Sequence, residues 1–328
     1  MDELLAMLRA AADPTRLRLL LILREAELTV SELTQILGQS QPRISRHLKL
    51  LCAAGLLQRF KEGSWAFFRS AETGAGAELA ALLAEQAARD PESLAADRRR
   101  LAAVREARAA EAAAFFKANA ADWERIRSLH APERDVEESI IKLLRSEPVG
   151  SLLDAGTGTG RMLELLAPYI QSGIGVDVSP EMLAIARDRL AQAHIQHCQV
   201  RLCDAFRLPF ANGTPTSGFD AALFHQVLHY LDDPQAAIAE AARVLKPGGR
   251  ILIVDFAPHD LEFLRTELRH RRLGFSDREV QGWFDALDLK NTQSAAIAPH
   301  EPHAHGKLIV KIWVASAAQH KHKTREAA

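Results

Sequence analysis

Apolar positions change period along this chain, and the change divides it. From residue 1 to about 70 they recur at helical spacing. Leu4, Leu5 and Leu8 open an apolar face, and Asp13-Pro14-Thr15 caps a helix running through Arg24. Pro14 takes a first-turn position, where its missing N–H costs nothing. Thr29-Val30-Ser31-Glu32 starts a short helix that ends at Gly38. Ser40 or Gln41 then caps a longer helix with Ile44, Leu48 and Leu51 inward; its other face carries Gln41, Arg43, Ser45, Arg46, His47 and Lys49. After Gly55, the runs Leu56 to Phe60 and Trp65 to Arg69 flank Lys61-Glu-Gly-Ser64, a hairpin pattern.

From about Glu72 to Arg145 the chain is rich in Ala, Arg and Glu, which are helix formers. Leu79, Leu82 and Leu83 form a seam suited to pairing with a second subunit, the other reading being an exposed helical linker. Phe115, Phe116, Trp123 and Ile126 precede a helix from Glu133 to Leu144 and could cap a ligand pocket or pack on the following domain. Beyond this, apolar strands alternate with helices, the βαβ rhythm of a parallel sheet. Strands are readable at Ser151 to Ala155, Ile174 to Val178, Gln199 to Leu202, Phe219 to Phe224 and Arg250 to Phe256. The expected organisation is multi-domain. It comprises an α+β winged helix-turn-helix over 1–72, a helical dimerisation or linker segment over 73–114, an α/β doubly wound, Rossmann-like domain over 115–316, and a disordered tail over 317–328.

Composition narrows the setting. A chain of 328 residues, 48% apolar and 25% charged, suits a globular protein with more than one core. Its net charge of −1 means that any nucleic-acid site must be a local patch. Cys52, Cys198 and Cys203 lack paired spacing and suit a reducing compartment. The start lacks a signal-peptide pattern, and no run reaches the length of a membrane span, so the expected location is the cytoplasm.

Two short helices, a glycine turn, a polar-basic helix and a hairpin describe a reading head. The second helix enters the major groove of double-stranded DNA with Ser40, Gln41, Arg43, Ser45, Arg46, His47 and Lys49, and Lys61 and Ser64 at the wing touch the backbone or minor groove. Asp13-Pro-Thr-Arg16, Ser31-Glu-Leu33 and Gln41-Pro-Arg-Ile-Ser-Arg-His-Leu48, followed by Leu51-x-x-Ala-Gly55, resemble the ArsR family of bacterial repressors. The resemblance implies a homodimer on a palindromic operator. Members of that family often sense metals, yet the helices Val30 to Leu37 and Ala77 to Arg89 contain neither Cys nor His, so no metal is expected.

The second domain carries nucleoside chemistry. In Gly156-Thr157-Gly158-Thr159-Gly160 the backbone can approach a ligand, and the helix from Arg161 to Ala167 aims its positive end at an anionic group. The G-x-G-x-x-G spacing of dinucleotide enzymes is not met, because Arg161 stands where its last glycine belongs. Asp177 ends the second strand, where a carboxylate accepts ribose hydroxyls. Asp204 ends the third, placed for an adenine amino group, with Phe206 beside it and Asp154 on the first strand.

Leu153-Asp-Ala-Gly-Thr-Gly-Thr-Gly160, Gly175-Val-Asp-Val-Ser-Pro-Glu-Met-Leu183, Asp204, Phe219 to His229 and Arg243-Val-Leu-Lys-Pro-Gly-Gly249 resemble class I S-adenosylmethionine-dependent methyltransferases. That resemblance implies S-adenosylmethionine or S-adenosylhomocysteine as ligand. The glycine turn and Asp154 would hold the methionine part, Asp177 and Val178 the ribose side, and Met182, Asp204 and Ala205 the adenine. His225 and Gln226 would line the sulfonium side, and Leu308 to Ala315 would supply a closing antiparallel strand. His225 and His229 are candidate bases. Cys198 and Cys203, five residues apart on one strand, fall on opposite faces and argue against arsenite chemistry.

Ser276-Asp-Arg-Glu279 is a capping box, and the preceding His270 to Phe275 reads as a solvated basic turn or the border of an acceptor mouth. His300, His303 and His305 lie in a Pro-containing loop without a fixed frame for a metal. Two functions fit: a transcriptional regulator whose second domain senses the S-adenosyl ligand, or an active small-molecule methyltransferase that also regulates its own gene.

Overall fold

The computed structural model describes residues 1–62, 65–71, 74–87, 92–119, 133–145, 147–298 and 308–318. Ser64, Trp123, Ile126, His300, His303, His305 and the tail from Gln319 lie outside them, as do the side chains of Lys61, Phe115 and Phe116. The chain forms two compact units, Met1–Glu111 and Ala112–Ala328.

The first unit contains α1 (Asp2–Ala11), α2 (Pro14–Glu25), β1 (Leu28–Thr29), α3 (Val30–Leu37), α4 (Gln41–Ala53), β2 (Leu57–Glu62), β3 (Trp65–Ser70), α5 (Gly74–Ala87) and the start of α6 (Glu92–Asn119). Asp13 caps α2 by accepting the Arg16 N–H at 3.1 Å, and Thr29 with Glu32 forms a capping box on α3. The small antiparallel sheet runs β1-β3-β2, pairing Leu28 with Phe68 and Leu57 with Ser70.

The helical segment does not stand apart from this unit. Leu101 and Val104 of α6 join Leu19, Ile22, Leu33, Ile44 and Leu48 in one core. Arg18 clasps Asp97 through Nε and Nη2, both at 2.6 Å, and Asp97 is buried. Arg100 donates to the Ile36 carbonyl at 3.0 Å. Leu79 and Leu83 pack on the same core, leaving Leu82 as the exposed leucine of the expected seam.

The second unit is a seven-stranded sheet in the order β6-β5-β4-β7-β8-β10-β9. Its strands are β4 (Val149–Ala155), β5 (Ile170–Asp177), β6 (Cys198–Leu202), β7 (Phe219–His225), β8 (Leu245–Phe256), β9 (Lys290–Ile297) and β10 (Val310–Ser316). Strands β4 to β8 are parallel; β10 is antiparallel to both β8 and β9. The helices are α7 (Glu133–Arg145), α8 (Arg161–Leu166), α9 (Pro180–Gln192), α10 (Pro234–Val244), α11 (Glu262–Glu267) and α12 (Asp277–Ala286).

Strand alternation feeds two cores. Leu152, Leu252 and Val254 face one with α7 and α8; Leu153, Ile251 and Ile253 face the other with α10 and α12. A sheet covered on both faces explains why β7 and β8 read as continuous apolar runs. Buried Arg250 donates to the Leu143, Leu144 and Glu147 carbonyls, placing a cation at the C-terminal end of α7. Asp220 accepts from the Ser151 N–H at 2.7 Å and from Lys246 Nζ at 2.8 Å, tying β4, β7 and β8 together at their starts.

Removing Asp97 strands the Arg18 guanidinium and unpins α6 from the first unit. Asp97→Ala is expected to destabilise that unit by about 3 kcal/mol, read by denaturant unfolding. A loss below about 1 kcal/mol would show that α6 is held by its other contacts and not by this pair.

Candidate functional site

At the carboxyl ends of β4 and β5 the chain makes the glycine turn. Gly156 and Thr157 both donate their N–H to the Val176 carbonyl, at 2.8 and 2.9 Å. Gly156 has φ +74°, and a Cβ there would sit 2.3 Å from Val227 Cγ2. Gly175 on β5 makes room for Thr157, whose Oγ1 would lie 2.6 Å from a Cβ at that position. With that space free, Thr157 Oγ1 donates to buried Asp154 Oδ2 at 2.6 Å. Asp154 thus supports the turn from beneath.

Asp177 accepts the Gly158 N–H at Oδ2 and the Ser179 N–H at Oδ1, each at 2.9 Å. Burial pushes its carboxyl above the ordinary range, against the pull of the Ser179, Gly158 and Val178 N–H groups. Further hydroxyl donors would therefore be favourable there. Val178 and Leu202 follow on neighbouring strand ends with 59% and 60% of their surfaces exposed, an apolar pair beside the carboxylate. Asp204 is exposed and accepts the Phe206 N–H at 3.0 Å, while Ala205 and Phe206 are partly buried beside it. Met182 is buried in α9, its N–H held by the Ser179 hydroxyl.

The ends of β7 and β8 complete this edge. His225 closes β7, and Gln226 follows with φ +50°, a left-handed conformation rare outside glycine and frequent at functional turns. Its N–H reaches the Val254 carbonyl at 2.7 Å. His229 is buried, and its Nδ1 lies 2.7 Å from Asp255 Oδ1. The residues from His270 onward are no solvated turn. His270 is 4% exposed with its ring centroid 4.0 Å from that of His229, and Arg271 and Arg272 donate their N–H groups to the His229 carbonyl.

Asp255 was not among the residues anticipated at this edge, and His270 was anticipated only in the reading that made His270 to Phe275 the border of an acceptor mouth. The signal for Asp255 was a charge inside the apolar run Ile251 to Phe256. Arg161 turns toward α7, with both guanidinium ends on Glu137 at 2.8 Å. Burial holds the Cys198 thiol up to about 11, well away from a reactive thiolate. Among the described residues no group of three or more His, Cys, Asp or Glu could hold a metal ion.

In the first unit, Ser40, Gln41, Arg43, Ser45, Arg46 and Lys49 are exposed along α4. His47 departs from the expected row. It is 8% exposed and shares the inward stripe with Ile44, Leu48 and Leu51, as its 3- and 4-residue spacing from them requires. Burial lowers its pKa, with Arg16, Arg43 and Arg46 adding to the effect and Asp13 opposing it.

Residues 13–59 match the family described as bacterial regulatory protein, arsR family, and residues 153–253 match the methyltransferase domain family. This chain joins an ArsR-family module to a methyltransferase domain. The methyltransferase YcgJ of Bacillus subtilis, itself uncharacterised, is 34% identical to the fusion over 122 residues, or 37% of this chain and 47% of that protein. The ubiquinone/menaquinone biosynthesis C-methyltransferase UbiE of Desulfotalea psychrophila is 40% identical over 111 residues, covering 33% and 42%. The fusion thus spans about half the length of these curated relatives. A chain from the complex of the Haloferax volcanii Trm112 methyltransferase activator with a methyltransferase shares the fold, with TM-score 0.50 and 24% identity over 62% of the fusion and 98% of that chain. No helix among the described residues is long and apolar enough to cross a membrane.

Two outcomes are expected from these sites. Gly156→Ala, strained at positive φ and driven into Val227, loses about 1–3 kcal/mol, and adding Val227→Ala recovers part of it; equal denaturation midpoints for the single and double variants would dismiss the clash. Because His47 is held below its ordinary value of 6.5, the first unit keeps its full stability above that pH and loses it as pH falls. His47→Leu should flatten this acid-side decline in thermal melts.

Proposed function

We propose that the fusion is a DNA-binding transcriptional regulator whose methyltransferase domain senses S-adenosylmethionine or S-adenosylhomocysteine, acting as a homodimer in the cytoplasm. One observation carries the reading. A polar-basic row on α4 in an ArsR-family module shares the chain with a methyltransferase-domain edge built of a glycine turn and Asp177.

The residues present fit an S-adenosyl group. Asp177, already accepting two N–H groups, has acceptor capacity left for ribose hydroxyls. Val178 and Leu202 offer exposed apolar surface to a flat base, with Asp204, Ala205 and Phe206 at its rim. The turn from Asp154 to Gly160 would hold the amino-acid end, and His225 and Gln226, which follow one another at the end of β7, would line the sulfur side. Such a group supplies a methyl on a cationic sulfur, or the neutral thioether left when it has gone.

On the DNA side, Gln41, Arg43, Ser45, Arg46 and Lys49 are the types that read base edges and hold phosphates, with Ser40 at the helix start and Lys61 and Ser64 in the wing segment. Sensing requires the ligand to bind the DNA-competent and DNA-incompetent states with different affinity.

Operator binding by the purified protein, titrated with each ligand at fixed salt, tests this reading. Salt is held constant because phosphate contacts make affinity steeply salt-dependent. A ligand-dependent change in operator affinity is expected; bound ligand with unchanged operator affinity would refute sensing. Asp177→Asn should weaken ligand binding on the order of tenfold and spare operator binding without ligand. Arg46→Ala should weaken operator binding on the order of tenfold and leave ligand affinity alone.

A further inference from the structure

The last carbonyls of a helix need partners from outside it. At the end of α3 the Gly38 and Gln39 N–H groups turn back to the Thr34 carbonyl, at 3.0 and 3.3 Å, which leaves the Ile36 and Leu37 carbonyls to side chains. Arg100 Nη1 on α6 donates to the Ile36 carbonyl at 3.0 Å, and Arg18 Nη2 on α2 donates to the Leu37 carbonyl at 3.3 Å. Two other helices thus each bring a guanidinium to the negative end of α3, where the helix dipole favours it. Gly38 is left-handed, with φ +66°, and a Cβ there would meet Arg100 Nη1 at 3.7 Å, so this guanidinium lies against the turn itself.

Asp97 orients both arginines. It is buried, takes Arg18 Nε and Nη2 at 2.6 Å each, and lies 3.8 Å from Arg100 Nη1, one helical turn along α6. Beyond Gly38, Gln39 Nε2 donates to Thr15 Oγ1 on α2 at 3.0 Å, and Ser40 is the N-cap of α4. Gly38, Gln39 and Ser40 are the whole connection between α3 and α4. The turn is fastened to α2 by Arg18 and Gln39, and to α6 by Arg100.

So short a connection passes any shift of the turn to the start of α4, where Gln41, Arg43 and Arg46 are exposed. Side chains near the start of such a helix are the ones that reach base edges. Base-edge hydrogen bonds demand close geometry, whereas phosphate contacts carry no sequence information. Resting on the proposed DNA role of α4, we infer that Arg100, oriented by Asp97, is a positioning residue for sequence reading. It sets the turn from which α4 starts and does not itself touch DNA. α6 is therefore part of the reading head as well as the helix by which the chain leaves that unit.

Binding of the full-length chain to two duplexes tests this, one selected from a random library by the wild-type protein and one of scrambled sequence, each titrated over a range of salt. Arg100→Met keeps the apolar stem and removes the donors. Its Kd for the selected duplex should rise about tenfold, with the Kd for the scrambled duplex within about twofold of wild type and the salt slope unchanged. An equal loss on both duplexes, with the salt slope lowered by about one, would make Arg100 a phosphate contact and overturn the assignment. Unchanged Kd values on both would overturn it too, since the turn would then hold without Arg100. Asp97→Asn separates the two roles by sign. Loss of the orienting group should weaken binding to the selected duplex, whereas removing a negative charge beside a phosphate contact would tighten both complexes and contradict the inference. If Asp97→Asn does not fold, the two Kd values of Arg100→Met still decide. Failure of the wild-type chain to select any duplex would instead sink the DNA-binding role, and the inference with it.

Discussion

The turn at Gly156 is the constraint on which the second unit depends. Two consecutive N–H groups converge on the Val176 carbonyl, which forces the chain off β4 and across the end of β5. That crossing needs positive φ at Gly156 and a missing side chain at Gly175, where Thr157 leans over the neighbouring strand. Thr157 then reaches Asp154, and Asp177 closes over the Gly158 N–H. Parallel strands supply the rest, since all of them deliver their last residues to one edge.

Buried and half-buried polar groups in this unit divide by what they hold. Arg250 at the end of α7 and Asp220 at the strand starts join elements away from that edge, Arg161 ties the helix that follows the glycine turn to α7 through Glu137, and each pairs with groups that packing already brings close. The His229–Asp255 pair lies at the edge itself. It joins two strand ends to the segment carrying His270, Arg271 and Arg272. A buried pair of polar side chains costs desolvation that a hydrophobic pair would avoid, and the 2.7 Å contact of His229 with Asp255 offsets part of it.

In the first unit the same economy of contacts fixes the reading helix. Ile44, His47, Leu48 and Leu51 seat α4 on the core, so its exposed row is the remainder: Gln41, Arg43, Ser45, Arg46 and Lys49. α6 is clamped to that core by Asp97 and Arg100 before the chain leaves the unit. A signal between ligand and DNA would act through the relative stability of states of the whole chain, since a ligand shifts an equilibrium only by its differential affinity.

Local chemistry was legible in the sequence wherever a residue acts through its own backbone position. Asp13-Pro14 and Thr29 with Glu32 start helices, Gly38 and Gly156 turn left-handed, and apolar runs bounded by turns become β4 to β8, because each depends on neighbours a few residues away. Even the burial of His47 was present in the spacing from Ile44 to Leu51, although its polar character suggested the other face. Contacts between distant segments were not legible. Asp97 meets Arg18 across 79 residues, Arg250 meets Leu144 across 106, and His229 meets Asp255 across 26, and none of these pairs has a periodic or spacing signature. They form because strand order and helix docking bring the segments together, and only once they are together does burial decide which charges need partners.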